Sequence, residues 1–268
     1  MKRLNSMKVL DLFSGIGGFS LGLERAGFET VAFCEIEEYP RRILKKHWPD
    51  IYIHDDVKTL SYIKEGDEPD DWMLYDSKIN HEIIRGAIDV ICGGFPCQDL
   101  SISGNQAGIE AERSGLWQEY KRLIREIKPK FALMENVTNL LAGECGMWFG
   151  KFLRDLAEVG YDAEWHCIPA SYVGACHTRD RVWILAYPAG FLPQGSTEGP
   201  VFRQRHLQIK SRRSIKRFSQ RSDLPASRFC SGDDGVPNKT PRLKALGNAV
   251  VPQIPEAIGR AILEIESS

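Results

Sequence analysis

Residues 7–27, MKVLDLFSGIGGFSLGLERAG, decide the fold. A short apolar run ends in the glycine-rich turn Ser14-Gly15-Ile16-Gly17-Gly18, and a helix-patterned stretch follows that Gly27 closes. Strand, tight loop and helix in that order open an α/β unit. Glycines in such a loop let backbone amides approach a ligand, and the helix start favours negative charge. The next apolar run, FETVAFCE, ends at Glu35, 20 residues after Gly15. An acidic side chain there can accept hydrogen bonds from ribose hydroxyls. Together they imply an adenosine-containing cofactor. The third glycine of GxGxxG is replaced by Ser20, so the motif alone separates neither dinucleotides from S-adenosylmethionine nor either of them from an ordinary glycine turn.

Outward from this unit, strands keep alternating with helices. EEYPRRILKKHW reads as an amphipathic helix interrupted early by Pro40, and 51–53 as a short strand before the acidic turn Asp55-Asp56. GDEPDDW reads as a solvated surface loop. A β-branched run over 87–92 leads into GGFPCQ, a helix is expected over 116–127, and 131–134 is a strand ending in Glu135-Asn136-Val137. A helix near 148–159, strands near 163–168 and 182–186, and a last helix over 254–265 complete the pattern. This order predicts a doubly wound, mostly parallel sheet covered on both faces, which binds ligands at the carboxyl ends of its strands.

The chain has 268 residues, 43% hydrophobic and 26% charged, which suits one substantial core with a small appendage. No stretch approaches the roughly 18 apolar residues of a membrane span, so a soluble, cytoplasmic protein is expected. Seven cysteines contain no CxxC pair, which supports neither a disulfide framework nor a zinc site, and no metal is expected. The formal charge of −1 hides an asymmetry: residues 188–240 hold 10 Lys and Arg against 4 Asp and Glu, and residues 201–221 hold eight basic residues and no acidic one. Such a block suits a polyanion such as nucleic acid, or a flexible basic linker.

Three positions carry possible chemistry. Cys97 follows Pro96 and a Gly-Gly pair at the end of a buried strand, where a nucleophile belongs, although a lone cysteine is more often packing. Glu135 and Asn136 end the following strand and supply a proton donor or hydrogen-bond partner if burial raises the carboxyl pKa. Alternation puts Arg179 and Arg181 on one side of their strand, facing either the cleft or, as a surface pair, Asp180.

With these residues in view, the chain resembles the cytosine carbon-5 DNA methyltransferases. DLFSGIGGFSLGLERAG, GGFPCQDLSISG, MENV, HTRDRVWIL and RLKALGNAVVPQ are similar to five of the family's motifs, in the family's order. The resemblance covers nearly all of the chain outside residues 188–240 and is closest to short modification-type enzymes of bacteria and phages.

It implies that Cys97 adds to cytosine carbon 6 and that Glu135 contacts ring nitrogen 3 and the exocyclic amine. Arg179 would steady base and glutamate, and Arg181 a nearby loop, phosphate or ribose. S-adenosylmethionine would be the cofactor, leaving as S-adenosylhomocysteine. Phe13 would pack on adenine, Gly15 and Gly17 would meet the methionine end, Glu35 the ribose, and Asp56, or Asp55 in its place, the adenine amine. Pro96, Leu116, Asn248 and Val250 match cofactor-lining positions. The base must leave the stack of double-stranded DNA to reach both groups, with a loop over 98–113 closing on it. Gln98, Ser101 and Ser103, and in the basic block Arg212, Arg213, Lys216 and Arg217, are candidate DNA contacts.

The expected organisation is a catalytic and cofactor-binding domain over 1–187, a target-recognition module over 188–240 and a returning segment over 241–268. A monomer serving restriction-modification or phage DNA protection is expected, with or without a cognate restriction endonuclease. Two departures stand out: His177 replaces a Gln common in the family, and the recognition module is short. The alternatives are an RNA cytosine-5 methyltransferase, against which the absence of a CFT tripeptide speaks, and a catalytically silent DNA-binding relative, against which the intact Cys97 and Glu135 speak.

Overall fold

A computed structural model describes residues 6–66, 71–96, 115–191 and 239–267. Seven strands form the main sheet in the order β3-β2-β1-β7-β8-β10-β9, namely β1 Lys8–Leu12, β2 Glu29–Cys34, β3 Tyr52–His54, β7 Val90–Gly93, β8 Phe131–Val137, β9 Tyr161–Pro169 and β10 Asp180–Pro188. The pairings among β3, β2, β1, β7 and β8 are parallel, and β10 runs antiparallel to both its neighbours. The mostly parallel α/β architecture is therefore as expected. β1 and β7 are almost wholly buried, through Val9, Leu10 and Leu12 and through Val90, Ile91 and Cys92, because helices cover both faces of the sheet. The chain winds from β1 outward through β2 and β3, then returns to β7 and winds the other way. The switch point between β1 and β7 places a crevice at their carboxyl ends.

On one face lie α1 (Gly18–Ala26) and α7 (Gln253–Glu266), whose Phe19, Leu23, Ile258 and Ile262 bury against Val9, Val90, Leu133 and Leu185. A side chain at Gly22 would lie 2.3 Å from the Pro252 carbonyl oxygen, so this glycine sets how closely the two helices approach. On the other face α3 (Gly115–Ile127) and α5 (Met147–Glu158) pack Tyr120, Leu123, Ile124, Phe152 and Leu156 on the sheet. Trp117 Nε1 donates to Asp155 at 2.8 Å and joins these two helices. Between β8 and α5 lies the single turn α4 (Asn139–Ala142), and α2 (Glu38–His47) and α6 (Lys239–Asn248) complete the set. No described helix is long and apolar enough to cross a membrane.

Three details differ from the sequence reading. Pro40 does not interrupt α2, because it falls in the first turn, where backbone N–H groups have no partner within the helix. A second, antiparallel sheet is formed by β4 (Leu60–Lys64), β5 (Trp72–Asp76) and β6 (His81–Arg85), while most of the acidic stretch read as a surface loop lies outside the described residues. Helix α6 begins at Lys239, two residues before the expected start of the returning segment.

Candidate active site

The loop after β1 is built around left-handed backbone at Phe13 (φ 52°), Gly15 (φ 54°) and Gly17 (φ 84°). Space is open above Gly15, whereas a Cβ at Gly17 would lie 2.6 Å from the Trp48 ring. Ser14 Oγ donates to the Asp11 carbonyl at 2.6 Å, and the Cys34 N–H donates to Ser14 Oγ at 3.2 Å, which sews the loop to β2. Glu35, at the end of β2, accepts the Gly15 N–H through Oε2 and the Glu37 N–H through Oε1, both at 2.7 Å. Burial raises its carboxyl pKa, opposed by those two backbone donors. Each oxygen keeps a free lone pair that a ribose hydroxyl can use. Beside it Ile36 is 68% exposed, an apolar surface at the crevice that the strand-end pattern did not single out. Beneath the loop, Asp11 is fully buried, accepts from Ser20 Oγ at 2.7 Å, and has its pKa raised to about 7 by burial.

Asp55 and Asp56 are distinguished by their partners. Lys78, in the turn between β5 and β6, pairs with Asp55 at 3.6 Å, while Asp56 Oδ1 caps a short turn by accepting from the Lys58 N–H at 3.0 Å. Asp56 Oδ2 has no hydrogen-bond partner among the described residues. Leu116 packs against the core at the start of α3.

The second half of the site joins β7, β8 and β10. A Cβ at Gly93 (φ 150°) would lie 1.9 Å from the Leu12 carbonyl oxygen, and one at Gly94 3.1 Å from Glu135 Oε2. These glycines let the segment leading to Pro96 cross close over β1 and Glu135. Asn136 Nδ2 donates to the Phe95 carbonyl at 3.3 Å and holds that segment in place. Glu135 is 8% exposed, with Oε1 3.1 Å from Arg181 Nε and 3.8 Å from Arg179 Nη2. Burial raises its carboxyl pKa, and the two guanidinium groups oppose the rise. The arginines thus face the cleft, and Asp180 contributes to Arg181 only a backbone carbonyl, at 2.8 Å. Arg179 also donates to the Gly247 carbonyl and, at 3.3 Å, to that of Asn248, so it ties the end of α6 to the glutamate. Val250 packs on Gly18 and lines the same cleft, which is open to solvent and has Glu135, Arg179, Arg181 and Trp183 on its walls. Trp183 was not singled out from the sequence, although the alternation that pairs Arg179 with Arg181 extends to it.

Cys97, Gln98, Ser101, Ser103, Arg212, Arg213, Lys216 and Arg217 lie outside the described residues. Burial raises the thiol pKa of both Cys34 and Cys92, which suits them to packing. Among the described residues no group of three His, Cys, Asp or Glu is placed to hold a metal.

The chain is 33% identical over 184 residues to the Type II methyltransferase M2.BsuMI of Bacillus subtilis, covering 67% of this chain and 42% of the relative. It is 30% identical over 186 residues to the Type II methyltransferase M.HhaI of Haemophilus parahaemolyticus, covering 69% and 50%. The chain thus matches half or less of the length of these relatives. A solved structure from an E. coli prophage, described as a DNA modification methyltransferase, superposes with a TM-score of 0.51 at 27% identity, over 68% of this chain and 47% of that one. The family model described as C-5 cytosine-specific DNA methylase matches residues 7–225, and with these motifs on this fold the chain belongs to that family.

Proposed function

We propose that the protein transfers a methyl group from S-adenosylmethionine to carbon 5 of a cytosine flipped out of duplex DNA. The observation that carries this reading is Glu135, buried beside two arginines and directly under the Gly94 backbone that leads to Pro96-Cys97. The raised carboxyl pKa suits a group that meets ring nitrogen 3 as a proton donor. Cys97 forms a bond to carbon 6, and as it does so Glu135 stabilises charge on the ring, which makes carbon 5 nucleophilic. Removal of the carbon-5 proton and expulsion of the Cys97 sulfur then restore the ring.

S-adenosylmethionine, when bound, supplies an electrophilic methyl group on a sulfonium. The open space above Gly15 and the free lone pairs of Glu35 fit its nucleoside and methionine parts. In this assignment Phe13 and Ile36 flank the adenine. Asp56 takes its amine, because Asp55 is held by Lys78. Pro96, Leu116, Asn248 and Val250 line the remaining wall, and Arg179 holds the Asn248 carbonyl. Residues 188–240, with their basic run, act as the recognition module. Duplex DNA is favoured over RNA because the matched relatives are Type II methyltransferases, and a role in restriction-modification or phage DNA protection follows from the same likeness.

The test is incubation of the protein with unmethylated duplex DNA and S-adenosylmethionine carrying a labelled methyl group, with base-resolution mapping and Cys97→Ala as control. Label on cytosines at one recurring sequence, lost in the variant, is the expected result. Label retained by Cys97→Ala would remove that residue from the mechanism. Label only on RNA, or on neither polymer despite cofactor binding, would overturn the reading.

A further inference from the structure

Three polar atoms on the walls of the cleft are buried without a hydrogen-bond partner among the described residues: Glu135 Oε1, Arg179 Nε and Trp183 Nε1. Two are donors and one is an acceptor. Buried polar groups are rarely left unpaired, since desolvation without a partner is costly. Trp183 stands opposite Glu135 in the β8–β10 ladder, so the two side chains share a face of the sheet. The indole is 1% exposed and rests on Phe19, with ring centroids 5.3 Å apart, whereas Arg179 and Arg181 are 19% and 24% exposed in their side chains. Trp183 is therefore the floor of the cleft and the arginines its mouth. The cleft has room for about one water and no more.

We propose that this floor is a buried water site, and that Trp183 acts through the water as a positioning residue for Glu135. The water accepts from Trp183 Nε1–H and Arg179 Nε–H and donates to Glu135 Oε1. Arg181 Nε, 3.1 Å from the same oxygen, adds a positive charge there. An oxygen so placed is held as an acceptor, and the acid proton resides on Oε2. That oxygen faces Gly94, on the side of the segment that leads to Pro96-Cys97. The two carboxyl oxygens thus divide the work: Oε1 is anchored to the protein, and Oε2 presents the proton to the base. The catalytic part of this statement rests on the methyl-transfer reading, while the water site does not.

The charged groups that bear on Glu135 among the described residues are Arg179 and Arg181, both constant in pH over the working range. The indole signal of Trp183 in the full chain, labelled with nitrogen-15 tryptophan and identified by its loss in Trp183→Phe, reads the site directly. The expected result is a magnetisation-transfer cross-peak to water, and a pH dependence that disappears in Glu135→Gln. No water cross-peak, or a pH response unchanged in Glu135→Gln, would overturn the proposal whether or not the protein methylates DNA. A response that appears only when duplex DNA is added would assign the indole donor to the base and also overturn it.

In methyl transfer under single-turnover conditions, Trp183→Phe should lower the rate several-fold. Loss of a donor to the carboxylate should also move the alkaline limb of the profile to higher pH, with the cofactor dissociation constant unchanged. An unaltered limb in a variant that melts like the parent would leave Trp183 as packing alone. Inactivity of the parent chain would count against the methyl-transfer reading, with the nuclear resonance result still deciding the water site.

Discussion

Glu35 shows how much one carboxylate does at the crevice. Both oxygens hold backbone N–H groups, one of them on the glycine loop, so Glu35→Ala should loosen that loop as well as remove the acceptors proposed for the ribose. Charge-assisted hydrogen bonds contribute about 1.5–3 kcal/mol each, and the S-adenosylmethionine dissociation constant should rise about tenfold or more. Calorimetric titration checks this, and an unchanged constant would sink the assignment. Asp11 leads to a pH prediction. Its pKa in the fold, about 7, is far above the ordinary aspartate range. The folded state therefore binds a proton that the unfolded state has released, and stability falls as pH rises through about 7. Below the ordinary aspartate pKa both states are protonated and the stabilisation is fully present. Asp11→Asn cannot ionise, so the loss in melting temperature between about pH 5 and about pH 8 should shrink in that variant. Buried Glu35 and Glu135, also raised, keep part of the dependence in place.

Among the elements, the junction of β1 and β7 is the most exacting. Gly93 has φ 150°, and any side chain there would collide with the Leu12 carbonyl oxygen at 1.9 Å. Backbone cannot give way cheaply at the centre of a parallel sheet, so Gly93→Ala should cost about 3 kcal/mol or more and lower the melting temperature by roughly 10 °C. A melting curve that matches the parent would mean that the strands separate more easily than their burial implies. The second sheet is tied to α3 by Arg122 and by Glu126, which accepts the Tyr62 N–H at 3.3 Å. Arg122 donates to the Val57 and Leu60 carbonyls at 3.1 and 2.7 Å while pairing with Glu119 and Glu126. Arg122→Met should raise amide hydrogen exchange in β4–β6, by local opening, more than in β7 or β8.

For the whole molecule, charge is the guide. The eight basic residues of 201–221 stand against a chain whose net charge is −1, so a polyanion should be met through that segment. Neutralising Arg212, Arg213, Lys216 and Arg217 together should weaken duplex binding and flatten its dependence on salt, by close to one counterion for each phosphate that these side chains neutralise. An unaltered salt slope would make the run a bystander.

The order of motifs from Gly15 to Val250, the alternation of strands and helices, and the placing of Glu35 and Glu135 at strand ends were legible in the sequence. Each depends on local periodicity or on residues adjacent in the chain, and parallel strands buried on both faces leave a plain apolar signature. The antiparallel β4–β6 sheet was not legible, because its strands are short and partly exposed and the acidic stretch GDEPDDW beside them reads as loop. The difference between Asp55, which pairs with Lys78, and Asp56, which does not, depends on a residue more than 20 positions away in the chain. That Arg179 reaches the carbonyls of α6, and that Trp183 lies beneath Glu135, follows from β10 running antiparallel beside β8. Residues far apart in sequence meet there only because the sheet closes between them, and no local pattern encodes which strand becomes whose neighbour.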